Sequence, residues 1–96
     1  MNLIAELQAW YEKQCDGDWE HGLGITIETL DNPGWSVKIN LQGTNLENEP
    51  FQEMTDIEPE DAWIRCWVED GMFHGVGGPR QLEAILQIFL NWAKDA

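Results

Sequence analysis

The stretch AWIRCWVEDGMFHGV, residues 62–76, decides the fold predicted for this chain. Residues 62–69 show the alternating apolar pattern of a strand, and residues 72–76 return as a second one. Between them lies Asp70-Gly71, a pair that favours a tight two-residue connection between antiparallel strands. The stretch therefore predicts a β-hairpin with a defined register.

The two faces of this hairpin differ in chemistry. Its register pairs Val68 with Phe73 and Trp67 with His74, and side chains two residues apart share a face. The face expected under a helix layer holds Ile64, Cys66, Val68 and Phe73. The other face holds Trp63, Arg65, Trp67, Met72 and His74. Aromatic residues and Arg are concentrated at protein interfaces, so this second face could bind a partner. The alternative is a second small core that residues 44–58 close.

A second hairpin precedes this one in the chain. Residues 23–27 and 35–41 also alternate, and Asp31-Asn32-Pro33-Gly34 lies between them. Pro suits the first corner of a tight turn, and Gly suits a second corner with positive φ. A loop of residues 32–34 predicts that Glu28 pairs with Lys38 and Ile27 with Ile39.

Helices are predicted at both ends. The first begins after Asn2 as N-cap and ends before Asp16-Gly17. The last follows Gly77-Gly78, with Pro79 at its first position. The first helix has an apolar face of Leu3, Ile4, Leu7, Trp10 and Tyr11. The last has a narrow polar stripe of Arg80, Glu83, Gln87, Asn91 and Lys94.

These elements predict one α+β domain over residues 1–96. Residues 51–57 are predicted to add a short acidic edge strand, so that the antiparallel sheet has four to five strands. The N-terminal and C-terminal helices are expected to pack on one face of this sheet.

Charge is the second informative property of the chain. It has 18 acidic and 5 basic residues, a formal net charge of -13, and six tryptophans. The tryptophans indicate a folded core, so the acid must lie on the surface, concentrated in residues 16–31 and 44–70. Such a surface disfavours nucleic acid and membranes and favours a basic partner. The N-terminus lacks the features of a signal peptide, so we expect a cytoplasmic protein whose Cys15 and Cys66 are reduced thiols.

No catalytic set, metal site or cofactor site is predicted. Asp16, Asp18 and Glu20 alternate as in a calcium loop, but the required Gly and Glu positions hold His21 and Ile27. The two cysteines and two histidines lack the spacing of a zinc site. The acidic run is therefore expected to form a capping and turn segment with Trp19 tucked inward, or to bind a partner.

Two long segments resemble a known family. WYEKQCDGDWEHGLGITIETLDNPGWSVKINLQGT, residues 10–44, and AWIRCWVEDGMFHGVGGPRQLEAILQIFLNW, residues 62–92, resemble the immunity protein 53 family of bacterial polymorphic toxin systems. The runs CDGDWEH and DNPGW carry the most specific part of this resemblance. Residues 45–61 match least. The resemblance implies a small cytoplasmic protein that binds and neutralises a cognate toxin domain, and it supplies no catalytic residues; we therefore expect no enzyme activity.

The resulting hypothesis is an immunity protein that binds a basic toxin domain, such as a nuclease, through acidic and aromatic side chains. The alternatives are a small metal-dependent enzyme and a general acidic or DNA-mimicking interaction protein without a toxin partner. The residues expected to bind the toxin are Glu47, Glu49, Glu53, Asp56, Glu58, Glu60, Asp61, Asp16, Asp18, Glu20, Trp63, Arg65 and Trp67.

Overall fold

The computed structural model describes residues 2–56 and 62–96. These residues form a five-stranded antiparallel sheet with helices at both ends of the chain, which confirms the predicted α+β fold. The order of strands across the sheet is β1-β2-β5-β4-β3. In chain order the elements are α1 (Leu3–Gln14), α2 (Trp19–Gly22), β1 (Ile25–Leu30), β2 (Gly34–Asn40), β3 (Met54–Asp56), β4 (Ile64–Glu69), β5 (Met72–Gly77) and α3 (Leu82–Asp95).

The hairpin of β4 and β5 has the predicted register. Trp67 pairs with His74 and Val68 with Phe73. Asp70 and Gly71 both adopt positive φ, at 56° and 74°, as expected for the tight turn that matches the twist of the two strands. Because the turn has only two residues, it fixes the register of the hairpin and therefore which side chains share each face of the sheet.

A hydrophobic core lies between the sheet and the helices. On the sheet side it contains Val37, Ile39 and Phe73, all fully buried. On the helix side it contains the apolar face of α3, with Ile85, Leu86, Phe89 and Leu90, and the predicted polar stripe of this helix is exposed. The ring of Trp10 on α1 packs edge-on against Phe89 at 4.9 Å between centroids. The helices therefore cover one face of the sheet and leave the other open.

The apolar face of α1 is only partly covered. Asn2 caps the helix as predicted, because its Oδ1 accepts a hydrogen bond from the N–H of Ala5 at 3.2 Å. Leu7 is buried, but Ile4 and Tyr11 are 54% and 39% exposed. Leu3, Leu7 and Trp10 of the predicted apolar face belong to the core or pack against it, whereas Ile4 and Tyr11 do not.

The predicted register of the first hairpin is wrong by two residues. Ile27 pairs with Val37 and Glu28 with Ser36, so the loop consists of residues 31–33. The Asn32-Pro33 peptide is cis. Gly34 is the first residue of β2 rather than a turn corner with positive φ. A Cβ atom there would collide with the carbonyl oxygen of Gly77 in β5, so close packing of β2 against β5 explains this glycine.

Three boundaries also differ from the prediction. The chain forms the short helix α2 within the expected turn segment. Strand β3 begins at Met54 rather than at residue 51, and residue 57, the predicted end of this strand, lies outside the described residues. Helix α3 starts at Leu82, so Pro79 does not occupy its first position. Residues 78–81 form a turn instead, in which the N–H of Gln81 donates to the carbonyl of Gly78. Among the described residues, no helix is long and apolar enough to cross a membrane.

Substituting Gly34→Ala should destabilise the fold by about 1–3 kcal/mol, because the methyl group overpacks the β2–β5 contact. Gly22→Ala is the matched control, since a Cβ atom there meets nothing within 4 Å. Urea denaturation of both variants measures the difference in free energy of unfolding. Equal stability of the two variants would contradict the assigned contact between Gly34 and Gly77.

Candidate functional site

The open face of the sheet carries a group of stacked side chains, Arg65, Trp67 and His74. Trp67 and His74 are directly opposite each other on β4 and β5, and their rings stack at 5.0 Å with an angle of 9° between planes. The guanidinium carbon of Arg65 lies 4.3 Å from the centre of the Trp67 ring, within the range of a cation–π contact. We call these three residues the aromatic cluster.

Two carboxylates hold the aromatic cluster in place. Glu53 forms an ion pair with Arg65 at 3.3 Å, and the Trp67 indole N–H donates to Glu69 at 3.2 Å. The side chains of Arg65 and Glu53 remain 49% and 55% exposed, so the ion pair itself contributes little to stability. The ion pair does orient the guanidinium of Arg65 over the Trp67 ring, and the bond to Glu69 orients the indole itself.

Lys38 adds a further positive charge beside the aromatic cluster. It is exposed on β2, and the register places it next to His74. Two of the five basic residues of the chain therefore lie on this face. Lys38 and His74 were not among the predicted binding residues. The predicted pairing of Trp67 with His74 was a signal for His74, whereas the pairing of β2 with β5, which places Lys38 beside His74, was not predicted.

The described part of residues 44–58 does not close the open face into a second core. Leu46 is fully buried in the core under the helices. Phe51 packs edge-on against Phe73 at 5.5 Å and against Trp92 at 5.0 Å, on the same side. The Trp92 indole N–H donates to the carbonyl of Pro50 at 2.9 Å. Residues 46–51 thus belong to the helix side, and Trp67 remains only half-buried.

Trp63, also expected to bind the partner, lies outside the aromatic cluster. It precedes β4 and is half-buried, and its carbonyl accepts a hydrogen bond from the N–H of Gly78. Arg65 and Trp67 are thus brought together on the open face, whereas Trp63 lies near the start of β4.

The acidic run after α1 folds into a hydrogen-bonded loop. One oxygen of Asp16 accepts from the N–H groups of Asp18 and Trp19, both at 3.0 Å. The carboxylate of Glu20 reaches back to the N–H groups of Asp16 and Gly17, each at 2.9 Å. This reciprocal arrangement resembles a capping box and explains the alternation of acids without a bound cation.

The loop also buries Trp19, as the capping interpretation predicted. Trp19 is 5% exposed and packs against the rings of Trp10 at 6.0 Å and Tyr11 at 5.8 Å. Hydrogen bonds from the N–H groups of Trp19 and Asp18 lower the pKa of Asp16. Hydrogen bonds from the N–H of Glu20 itself and from those of Asp16 and Gly17 lower the pKa of Glu20. Both carboxylates therefore favour the charged form at neutral pH.

Three loops bring distant acidic residues to one end of the molecule. Asp16 and Asp18 line a cleft together with Gln42 and Gly43. Gln42 and Gly43 form the turn after β2, and Glu47 lies beside this turn, because its carboxylate accepts a hydrogen bond from the N–H of Gly43 at 3.3 Å. On the other side the turn contacts the β4–β5 connection, where the N–H of Leu41 donates to the carbonyl of Gly71. We call the exposed residues gathered here the acidic end: Asp16, Asp18, Glu47 and Asp70.

The other predicted acids are distributed differently. Glu49, Glu53 and Asp56 are exposed along the segment that leads into β3 and in β3 itself. Glu58, Glu60 and Asp61 lie outside the described residues.

The thiols serve as structural groups. Cys66 is fully buried in the core, and burial raises its pKa to about 12. Cys15 donates a hydrogen bond from Sγ to the carbonyl of Tyr11 at 3.3 Å. Within residues 2–56 and 62–96, no three His, Cys, Asp or Glu side chains are close enough together to hold a metal ion.

A comparison with protein families matches the model of immunity protein 53 over residues 4–94. The chain belongs to the immunity protein 53 family. No curated protein and no solved structure matches it. Family membership gives the general function, toxin neutralisation by binding a cognate toxin, and immunity proteins of this kind are generally not enzymes.

The lowered pKa of Glu20 predicts a pH-dependent contribution to the stability of this immunity protein. The ordinary pKa of a Glu side chain is 4.5, and at pH values above it the hydrogen bonds of the Glu20 carboxylate stabilise the fold fully. This contribution is lost as the pH falls through the lower pKa that Glu20 has in the folded state. Glu20→Gln should therefore melt at a lower temperature than the parent at neutral pH, and the difference should shrink as the pH falls below 4.5 and through the lowered pKa of Glu20.

Thermal unfolding followed across this pH range measures the effect. Glu12→Gln, which alters an exposed carboxylate on α1, serves as the control. A difference between Glu20→Gln and the parent that stays constant with pH would contradict the role of the Glu20 carboxylate.

Proposed function

We propose that this immunity protein neutralises its toxin by covering a basic cleft with the acidic end and anchoring the complex through Arg65 and Trp67. The observation that carries this proposal is the convergence of three loops at the acidic end, which concentrates charge from both acidic segments of the chain. Family membership supplies the partner class, a toxin domain.

The net charge supports a basic toxin, and a nuclease fits best. The active cleft of a nuclease must be basic in order to hold a polyanionic substrate. A protein with a net charge of -13 is attracted to such a cleft and competes with the substrate for it. Opposite charges also accelerate association, towards 10⁸–10⁹ M⁻¹s⁻¹ at low salt as an order of magnitude.

The aromatic cluster has the composition of an interface centre. Trp and Arg are enriched among the residues that dominate binding free energy. Trp67 is half-buried and held by three neighbours, so it loses little conformational entropy when a partner covers it. Lys38 and Arg65 provide contacts for acidic groups that flank the toxin's cleft.

The remaining predicted residues extend this surface. Trp63 stays a proposed contact at the other end of β4. Glu20 supports the loop that presents Asp16 and Asp18. The acids of the middle segment are proposed to provide further charge: Glu49, Glu53, Asp56, Glu58, Glu60 and Asp61.

Reversing two charges at the acidic end, Asp18→Lys with Glu47→Lys, should slow association with the toxin domain encoded by the neighbouring gene. We expect a decrease of about tenfold or more at low salt and a weaker dependence of the rate on salt, because steering depends on local charge. Stopped-flow or surface-based kinetics at several ionic strengths measure both quantities.

The matched control is Glu83→Lys with Asp95→Lys, which changes the net charge equally on exposed positions of α3. The control should associate at close to the parental rate. If both double variants slow association equally, only the total charge matters, and the acidic end is not the docking site. A parental rate that does not change with salt would remove electrostatic steering altogether.

A further inference from the structure

Strand β1 is an open edge of the sheet. In the part of the chain that the structure describes, it pairs only with β2, and the opposite edge strand β3 has just three residues. Proteins commonly protect edge strands with Lys, Pro, a bulge or short length. The six residues of β1, ITIETL, include neither Lys nor Pro, and their pairing with β2 runs without interruption.

The hydrogen-bonding direction of each β1 residue follows from one contact. The N–H of Asn40 donates to the carbonyl of Gly24 at 3.0 Å, and the register makes these two residues direct partners. Because direction alternates along an antiparallel strand, Thr26 and Glu28 also bond to β2. The N–H and C=O groups of Ile25, Ile27 and Thr29 point away from the sheet, and none of them is bonded elsewhere in residues 2–56 and 62–96.

The open edge also offers apolar surface. The side chain of Ile27 lies on the helix-bearing face, as does that of its partner Val37, which is fully buried. Ile27 is nevertheless 39% exposed, because the core does not extend beneath the edge. A strand added beside β1 would therefore gain backbone hydrogen bonds and cover Ile27 at the same time.

The charge around β1 selects the strand that can add there. Residues 16–31 contain five acidic residues and neither Lys nor Arg: Asp16, Asp18, Glu20, Glu28 and Asp31. A second copy of this chain would bring two such segments together, with a charge of -13 on each molecule. Repulsion disfavours that pairing, whereas a strand that carries Lys or Arg beside Glu28 is attracted.

We propose that an extended, basic segment of the toxin domain adds to the sheet along the free edge of β1. This inference rests on the proposed function, because it takes the toxin as the partner. It adds a binding mode, β-strand addition, in which backbone groups provide affinity and neighbouring side chains provide specificity.

Amide hydrogen exchange tests this mode in the complex with the toxin domain encoded by the neighbouring gene. In the free protein, the N–H groups of Ile25, Ile27 and Thr29 should exchange faster than those of Thr26 and Glu28. Complex formation should slow the exchange of the outward three by about tenfold or more, because each gains a hydrogen bond.

Paired variants test the same mode through affinity. Ile27→Pro removes an outward N–H that β2 does not use, and Ile27→Ala makes the side chain smaller but keeps that N–H. We expect the dissociation constant of Ile27→Pro to be about tenfold higher than that of Ile27→Ala. Circular dichroism checks folding, and Thr29→Pro with Thr29→Ala provides a second pair if Ile27→Pro does not fold.

The outcomes separate this inference from the proposed function. If a complex forms while the outward amides stay unprotected, strand addition is overturned and toxin neutralisation stands. If no complex forms, both are overturned. If the outward amides become protected in the isolated protein as its concentration rises, the edge binds a second copy, and the assignment to the toxin is wrong.

Discussion

The pairing of β4 with β5 is the constraint on which the rest of the structure depends. The turn at Asp70-Gly71 has two residues with positive φ and fixes Val68 opposite Phe73 and Trp67 opposite His74. Since side chains alternate between the faces of a strand, a slip of one residue would move Phe73 out of the core and Trp67 into it. One local turn thus determines both the interior and the open surface.

The aromatic residues of the core explain why that open surface is free. Phe73 contacts Phe89, Trp92 and Phe51, with centroids 5.2, 6.4 and 5.5 Å away. The contact between Phe51 and Phe73 holds the chain after β2 on the helix side of the sheet. The described part of this segment therefore does not cover the opposite face, which was one of the two arrangements that the sequence allowed. The aromatic cluster is left accessible to solvent as a result.

The accuracy of sequence reasoning here depends on the range of the interaction. The β4–β5 register, the Asn2 cap and the polar stripe of α3 follow from neighbouring residues, and they were predicted. The register of the first hairpin was not, because Gly34 is needed for a contact with Gly77 that lies far along the chain. The acidic end likewise depends on packing between loops, which no local pattern contains. The capping role of Asp16 and Glu20, by contrast, is local and was one of the two interpretations that the sequence offered.

The charge of the chain is arranged rather than uniform. The four acids of the acidic end gather in one place, whereas Lys38 and Arg65 lie on the open face beside Trp67 and His74. The family supplies a toxin as partner. We propose that this arrangement directs the partner towards the open face and away from the helices.

The indole N–H signals of the six tryptophans test this direction most directly. In ¹⁵N-resolved NMR spectra recorded during titration with the toxin domain, the signal of Trp67 should shift or broaden strongly because it lies on the open face. The signal of Trp92, which is bonded to Pro50 on the helix side, should stay nearly unchanged. A titration in which Trp92 responds and Trp67 does not would place the toxin on the helices and contradict the account.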